Sequence, residues 1–221
     1  MICTRSLSYR YTAGATLRFP DVDVPQGVTL LLSGPSGCGK STWLALMAGL
    51  VRPTTGQLTV AGQSLATLDA VATDAWRASS IGFLPQKLHL SAALNVRQNL
   101  ALAQWAAGLA ENRAAIDAVL AALGVAELAA RRPAQLSGGQ AQRVALARAV
   151  LHHPKVILAD EPSASLDDEG AANAVALLLA TARAQSATLV IATHDARVAA
   201  QLAAEAPATG LQRLQLLRNP S

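Results

Sequence analysis

The nonapeptide GPSGCGKST at residues 34–42 constrains the fold more than any other part of the sequence. It follows the apolar run VTLLL of residues 28–32 and precedes the apolar run WLALM of residues 43–47. A buried strand that passes through a glycine-rich turn into a helix is the setting in which the pattern G-x-x-x-x-G-K-[ST] binds phosphate. The glycines let backbone N–H groups turn inward, and the helix adds the positive end of its dipole. The pattern predicts a nucleoside-triphosphate site in which Lys40 reaches the β- and γ-phosphates and the Ser41 hydroxyl ligates Mg²⁺.

All nine residues of this loop are candidates to contact the nucleotide. They are Gly34, Pro35, Ser36, Gly37, Cys38, Gly39, Lys40, Ser41 and Thr42. The sequence contains one further cysteine, Cys3, and the two cysteines form no metal-binding or disulfide pattern. We therefore interpret Cys38 as a small residue that fits the loop.

The composition limits the classes of protein to consider. A chain of 221 residues suffices for one α/β domain with a core and a smaller lobe. The longest uncharged stretches, residues 24–39 and 53–68, are broken by Gly, Pro, Ser and Thr, and the first ten residues lack the apolar core of a signal peptide. We expect a cytosolic protein. A net charge of +4 without a basic run interleaved with aromatics suits phosphate ligands or an anionic membrane surface, and we expect no nucleic-acid partner.

The first thirty residues carry strand patterns. Residues 2–9 alternate between apolar and polar side chains, and residues 16–19 follow as a second short strand. Tyr11 lies between these two segments. Its ring could stack on a nucleotide base or pack in the sheet, and the residues alone favour neither interpretation.

Two further short strands are predicted after the phosphate loop, over residues 57–61 and 81–85. The second ends at Gln86. An uncharged amide at the C-terminal end of a strand in an α/β sheet is well placed to face a ligand, because ligands bind in the crevice at that edge.

Residues 87–132 carry helical rather than strand spacing. The predicted helical segments cover residues 92–107, 111–123 and, as a short turn, 125–131. We interpret residues 87–132 as a helical lobe inserted into an α/β core formed by residues 1–86 and 133–221.

Two later apolar runs end in polar side chains. Residues 156–161 read VILADE. A single acid there could cap a helix, but two in a chain with a phosphate loop match an arrangement in which Asp160 holds the Mg²⁺ shell and Glu161 orients water. Residues 188–193, TLVIAT, are a second largely apolar run, and His194 follows it directly. His194 could cap a helix. Because it would lie at the same edge of the sheet as Glu161, we favour a contact between His194 and the γ-phosphate.

The segment LSGGQ at residues 136–140 predicts a second anion site. Ser137 can cap the helix that follows, and Gly138 and Gly139 expose its first N–H groups. The segment could also be a simple helix cap. The residues leave open whether it meets the first phosphate site within one chain or across a dimer.

Taken in order, these motifs resemble those of the ATP-binding subunits of ABC transporters. GPSGCGKST resembles the Walker A motif, LSGGQ the signature motif and VILADE the Walker B motif. Gln86 resembles the Q-loop residue, His194 the switch histidine, and Tyr11 the A-loop aromatic that stacks on adenine. The D-loop, usually SALD, reads ASLD at residues 164–167, so that Ala164 replaces a hydroxyl that would strengthen a contact across the dimer.

The resemblance implies a RecA-like P-loop NTPase core with a mostly parallel sheet, an antiparallel β subdomain and an inserted helical subdomain. It implies catalytic roles for Glu161, His194, Lys40 and Gln86. It implies that Ser41, Gln86 and Asp160 hold Mg²⁺. It adds Tyr11, Ser137, Gly138, Gly139, Gln140 and Asp167 to the residues that contact ATP.

The resemblance also implies partners. We expect a head-to-tail homodimer with each ATP between Walker A of one copy and LSGGQ of the other. We expect hydrolysis of ATP to ADP and phosphate to power a separate integral membrane permease that docks near the helical lobe, on the cytoplasmic face of the membrane.

Residues 65–77, with Trp76 and Arg77, resemble the subgroup of lipoprotein-release, macrolide-efflux and cell-division ATPases. The alternative function is therefore the ATPase of a cell-division type complex that transmits force and transports nothing. Soluble ABC proteins that act on DNA or ribosomes usually carry two ATPase halves or a long coiled-coil insert, and neither is present in this sequence. A nucleotide kinase is disfavoured because LSGGQ would have no task in one.

Overall fold

The computed structural model describes residues 1–12, 14–164, 166–205 and 210–217. Ser165, in the predicted D-loop, lies outside the described residues. Within these ranges the chain forms two five-stranded sheets and seven α-helices. None of the helices in the described ranges has the length and hydropathy needed to span a bilayer.

The strands and helices have the following bounds. The strands are β1 Ile2–Arg10, β2 Thr16–Arg18, β3 Val22–Val24, β4 Thr29–Ser33, β5 Thr55–Val60, β6 Gln63–Ser64, β7 Ile81–Leu84, β8 Val156–Asp160, β9 Thr188–Ala192 and β10 Leu211–Gln215. The α-helices are α1 Lys40–Met47, α2 Ala70–Ser80, α3 Val96–Ala106, α4 Arg113–Ala122, α5 Gly138–Val150, α6 Asp168–Ala184 and α7 Ala196–Glu205.

The larger core is a parallel sheet in the order β10-β4-β9-β8-β7. Every residue of β8 and β9 is buried, which explains their continuous apolar sequences, because helices or a second sheet cover both faces. Leu31, Ile157 and Ile191 face a cluster that includes side chains of α3 to α7. The alternating residues face a second cluster with α1. The parallel arrangement brings the C-terminal ends of β4, β7, β8 and β9 to one edge.

The smaller sheet is antiparallel, with the order β2-β1-β5-β6 and with β3 also paired to β1. Its apolar side chains pack in the same cluster as Trp43 and Leu44 of α1. This sheet therefore lies on the α1 side of the parallel sheet. The predicted strand-rich start and the predicted α/β architecture are both confirmed.

The helical segment differs from its prediction at the helix boundaries. The helix predicted from residue 92 begins at Val96, because Asn95 accepts from the Gln98 N–H while the Gln98 side chain accepts from the Asn95 N–H. The helix predicted from residue 111 begins one residue after Asn112, which caps it through the Ala115 N–H. The predicted third turn is a single 3₁₀ turn. The limits of a separate helical subdomain stay a prediction.

Candidate active site

The glycine-rich loop joins β4 to α1 through backbone conformations that require glycine. Gly39 has φ 102° and ψ 14°, in the left-handed region, and a Cβ there would lie 3.0 Å from Cδ1 of Leu17. At Gly34, with φ 151°, a Cβ would lie 2.5 Å from the carbonyl oxygen of Leu216. Among the described residues, no side chain caps α1. Its first N–H groups are therefore available to an anion.

Lys40, the first residue of α1, is buried with 7% of its surface exposed. Its ammonium donates to the carbonyl oxygens of Gly34, at 2.9 Å, and Pro35, at 3.4 Å. It also lies 3.5 Å from Oε1 of Glu161. The positive charge is thus held under the loop by two neutral acceptors and one carboxylate.

Glu161 directly follows β8 and adopts a left-handed backbone conformation with φ 47°. A non-glycine residue in this region is strained, and it persists where its surroundings fix it. Its N–H donates to the carbonyl of Ala192, across to β9. Its Oε1 lies 2.7 Å from Nδ1 of His194, and its Oε2 accepts from the Thr193 hydroxyl at 2.9 Å. The structure therefore brings the two strand ends together through the Glu161 side chain.

Asp160, the last residue of β8, is buried, and its Oδ1 atom has no hydrogen-bond partner in the part of the chain that the structure describes. Burial raises the pKa of its carboxyl, while a hydrogen bond with the Ser41 side chain opposes that rise. An unpartnered carboxylate oxygen beside a hydroxyl fits a hard divalent cation, which prefers oxygen ligands. Among the described residues no three His, Cys, Asp or Glu side chains cluster as a metal site. A cation here would take its remaining ligands from phosphate and water.

A cavity of about 310 Å³ lies over the loop. Ten of the predicted site residues line it, namely Tyr11, Ser36, Gly37, Gly39, Lys40, Ser41, Thr42, Gln86, Glu161 and His194. The Tyr11 ring packs edge-on against Tyr9 with ring centroids 4.9 Å apart, and its hydroxyl hydrogen-bonds to that of Thr42. Leu17 of β2 also lines the cavity, and the sequence analysis missed it. Its only signal was its place on a strand next to Tyr11.

Nine predicted residues are outside the lining of this cavity, although Gly34, Pro35 and Asp160 contact Lys40 or Ser41, which line it. The described residues that line the cavity do not include Gly34, Pro35, Cys38, Asp160, Ser137, Gly138, Gly139, Gln140 or Asp167. The Cys38 side chain is buried beside Gly34, which agrees with its interpretation as a residue that fits the loop. The LSGGQ glycines are exposed, and Ser137 and Gln140 form a capping box at the start of α5. The LSGGQ glycines therefore lie outside the cavity over the phosphate loop, and Gly138 lines a neighbouring cavity that Gln86 and Glu161 also line.

Residues 17–164 of the chain match the protein family described as ABC transporter. The chain belongs to the ABC transporter family. It is 35% identical over 221 residues to the lipoprotein-releasing system ATP-binding protein LolD of Idiomarina loihiensis, which covers 97% of this chain and 93% of that protein. It is 38% identical over 205 residues to the macrolide export ATP-binding/permease protein MacB 2 of Aeromonas hydrophila. That match covers 90% of this chain but 32% of MacB 2, so the chain spans about a third of that relative.

Solved structures agree with this assignment. A dimeric, post-hydrolysis structure of the ATP-binding cassette MJ0796, bound to ADP and Pi, superposes with a TM-score of 0.81. It is 28% identical and covers 98% of this chain and 96% of that chain. The chain is an ATP-binding, ATP-hydrolysing subunit of the ABC transporter type, with the P-loop NTPase fold that the motifs predicted. The subgroup that residues 65–77 indicated is confirmed by the relatives LolD and MacB.

Proposed function

We propose that this ABC ATPase works as a head-to-tail homodimer in which LSGGQ of one copy completes the phosphate cavity of the other. The observation that carries the proposal is that the LSGGQ glycines are exposed and are not among the described residues that line the phosphate cavity. A capped helix start with two glycines presents N–H groups that can offset γ-phosphate charge. The dimeric structures of the similar MJ0796 cassette support a dimer.

Within each composite site, residues of this chain bind and orient the reactants. Lys40 neutralises β- and γ-phosphate charge from beneath the loop. Glu161 orients the attacking water and takes its proton, and His194 holds Glu161 while facing the γ-phosphate. The support is the geometry of one carboxylate between an ammonium at 3.5 Å and an imidazole at 2.7 Å.

Ser41 and Asp160 would hold Mg²⁺, with Gln86 at the rim of the same cavity. When bound, Mg²⁺ would offset the negative charge of the nucleotide phosphates. The unpartnered Oδ1 of Asp160 supports this role, because a buried carboxylate oxygen without a partner is otherwise unfavourable.

The permease partner docks on a groove of about 530 Å³ between α2, β7, α3 and α5. Its lining is apolar at Ile81, Phe83 and Leu102, and Leu102 is 44% exposed. Arg148 also lines it and donates to the carbonyls of Leu88 and His89, and among the described residues no carboxylate pairs with it. Burial lowers the pKa of Arg148. These features suit a short amphipathic helix that carries an acidic side chain.

The permease is a separate integral membrane protein, and the ATPase lies on the cytoplasmic face of that membrane. The support is LolD, a relative named as an ATP-binding protein, of which the match covers 93%. The names of the relatives, lipoprotein release and macrolide export, support an exporter or release system. Copurification of a permease without any transported cargo would instead favour a mechanical complex.

Two chains with complementary defects test the shared site. Lys40→Met disables the phosphate cavity, and Gly139→Asp places a carboxylate where LSGGQ meets the γ-phosphate. Each variant alone is expected to be inactive. Their mixture contains heterodimers with one intact composite site, so ATPase activity is expected to return to a fraction of the wild-type rate.

The oligomeric state gives a second readout. Glu161→Gln is expected to dimerise with Mg²⁺ and ATP and to remain monomeric with ADP, measured by light scattering after size-exclusion chromatography. A mixture that stays inactive, together with a monomeric ATP-bound Glu161→Gln protein, would overturn the shared site.

A further inference from the structure

Thr193 lies one residue beyond β9 and immediately before His194, with 1% of its surface exposed. Its hydroxyl accepts from the Asp195 N–H at 3.0 Å and lies 2.9 Å from Oε2 of Glu161. Because a carboxylate only accepts, the hydroxyl hydrogen points to Glu161. The Thr193 N–H donates to the carbonyl of Leu32 in β4. Both the backbone and the hydroxyl of Thr193 are thus fixed in direction.

The Glu161 carboxylate has a different partner on each oxygen. His194 Nδ1 contacts Oε1 at 2.7 Å, and the Thr193 hydroxyl contacts Oε2. The last torsion of a glutamate side chain is broad and has no sharp intrinsic minimum. The plane of this carboxylate is therefore set by hydrogen bonds and not by rotamer preference. His194 is 68% exposed at its side chain, whereas Thr193 is buried, so Thr193 is the more rigid of the two partners.

The support for Thr193 extends one layer further. The Asp195 carboxylate accepts from the Ser163 hydroxyl at 3.0 Å and from the Arg197 guanidinium at 2.7 Å. It also accepts from the Arg197 N–H at 2.9 Å. Arg197 in turn pairs with Asp168 at the start of α6. These contacts hold the turn whose N–H is donated to Thr193.

We propose that Thr193 is a positioning residue that fixes the plane of the Glu161 carboxylate for ATP hydrolysis. This inference rests on the proposed role of Glu161 in orienting the attacking water. Thr193 is absent from the described residues that line the cavity, so it acts through Glu161 and not on the nucleotide. Small misplacements of a catalytic group lower rates steeply, while substrate binding that does not involve the group is unaffected.

The test compares substitutions at two threonines of the same strand region. Thr193→Val keeps the shape and removes the hydroxyl, and it is expected to lower kcat about ten- to a hundredfold with an unchanged KM for ATP. Thr193→Ser restores the hydroxyl and is expected to restore most of kcat. Thr188→Val is the matched control, because Thr188 is fully buried at the other end of β9 and its hydroxyl also has two partners: it accepts from the Gly27 N–H and donates to the Pro25 carbonyl. It is expected to leave kcat unchanged.

A double substitution separates this inference from the role of Glu161. If Thr193 acts through Glu161, adding Thr193→Val to Glu161→Gln lowers the residual rate no further. Normal turnover of Glu161→Gln would contradict both the role of Glu161 as the base and the role of Thr193 in positioning it. Inactive Glu161→Gln with normal kcat in Thr193→Val would overturn the role of Thr193 alone. Equal loss of kcat in Thr193→Val and Thr188→Val would also overturn it, because the effect would then belong to strand stability.

Discussion

Nζ of Lys40 lies 3.5 Å from Oε1 of Glu161, and the two side chains are only 8% and 11% exposed. Opposite charges attract more strongly when they are buried. Removal of one partner then leaves the other charge buried and uncompensated, which destabilises the protein. A γ-phosphate that reached Lys40 would compete with Glu161 for the ammonium. The residue proposed to bind phosphate and the residue proposed to orient water are thus in direct electrostatic contact.

Lys40→Met is expected to weaken ATP binding about a hundredfold, since charge-assisted hydrogen bonds contribute about 1.5–3 kcal/mol each. The measurement is calorimetric titration with ATP and Mg²⁺ in the Glu161→Gln background, where hydrolysis is blocked. Lys155→Met is the control, because Lys155 is exposed and lies outside the cavity. Affinities within threefold of each other for the two variants would contradict the assignment of Lys40.

Tyr11→Ala is expected to lower ATP affinity about tenfold, because stacking of a base on an aromatic ring is worth about 1–3 kcal/mol. Tyr11 lines the cavity while 47% exposed, so its ring has a free face. Tyr11→Phe should retain affinity, since it keeps the ring and loses only the hydroxyl. The same titration measures both, with Trp105→Ala as a control on an exposed aromatic outside the cavity. A tenfold loss in Tyr11→Phe would assign the effect to the Thr42 hydrogen bond.

Gly39→Ala is expected to destabilise the fold and to weaken ATP binding. The left-handed conformation costs a residue with a Cβ about 1–2 kcal/mol, and the new Cβ would also press on Leu17 at 3.0 Å and Phe19 at 3.3 Å. Gly62→Ala is the control, because Gly62 has φ 79° but nothing within 4 Å of a Cβ. Urea unfolding should show a larger loss for Gly39→Ala than for Gly62→Ala. Equal losses would mean that contact with Leu17 and Phe19 is unimportant.

Much of the fold followed from local patterns. The strand β8 could be predicted because a sequence buried on both faces reads as one apolar run, and α5 because Ser137 and Gln140 have the spacing of a capping box. The start of α3 could not be predicted in the same way, because apolar residues at helical spacing already begin at Ala92. The capping box of Asn95 and Gln98 sets the true start at Val96, four residues after Ala92.

The contacts that build the site could not be predicted from local sequence. Thr193 and Glu161 are 32 residues apart, and they meet only because β8 and β9 pair in parallel with Asp160 opposite Ala192. Leu17 reaches the cavity only because the antiparallel sheet packs on the α1 side. Tertiary packing, and not residue type, decides these positions.

Asp195→Asn is expected to lose stability in a pH-dependent way. Hydrogen bonds from Arg197 hold the pKa of the Asp195 carboxyl well below its usual range, although burial opposes them. A lowered carboxyl pKa contributes stability above the unfolded value of about 4, and this contribution is lost as the pH falls through the folded value. The melting temperature of wild type should exceed that of Asp195→Asn by up to about 4 °C at pH 7.

The difference in melting temperature between wild type and Asp195→Asn should narrow as the pH falls below about 4. Scanning calorimetry from pH 7 to pH 3 measures it, at an ionic strength held constant, since Arg197 is 48% exposed and salt screens the pair. In the Arg197→Met background the same substitution should have little pH-dependent effect. A gap that widens in acid would contradict the direction of the Asp195 pKa.

Asp160→Asn is expected to separate stability from function. The ionised carboxylate is disfavoured by burial, and its Oδ1 has no hydrogen-bond partner, an arrangement that costs about 1–3 kcal/mol in a folded protein. Replacing the charge with a neutral amide should therefore leave the melting temperature in EDTA unchanged or raise it. Because a raised pKa lets the wild-type carboxyl take up a proton more readily, any advantage of the variant should shrink as the pH falls.

Addition of Mg²⁺ and ATP should give wild type a higher melting temperature than Asp160→Asn. A ligand at a hundred times its Kd stabilises the folded state by about 2.7 kcal/mol, and wild type gains this whereas Asp160→Asn lacks one oxygen charge for the cation. Chelation of Mg²⁺ with EDTA should abolish wild-type ATPase activity, and Asp160→Asn should be inactive with or without EDTA. If Asp160→Asn unfolds at a lower temperature in EDTA and still gains the full stabilisation from Mg²⁺ and ATP, then Asp160 is a structural residue and the cation is held by other groups.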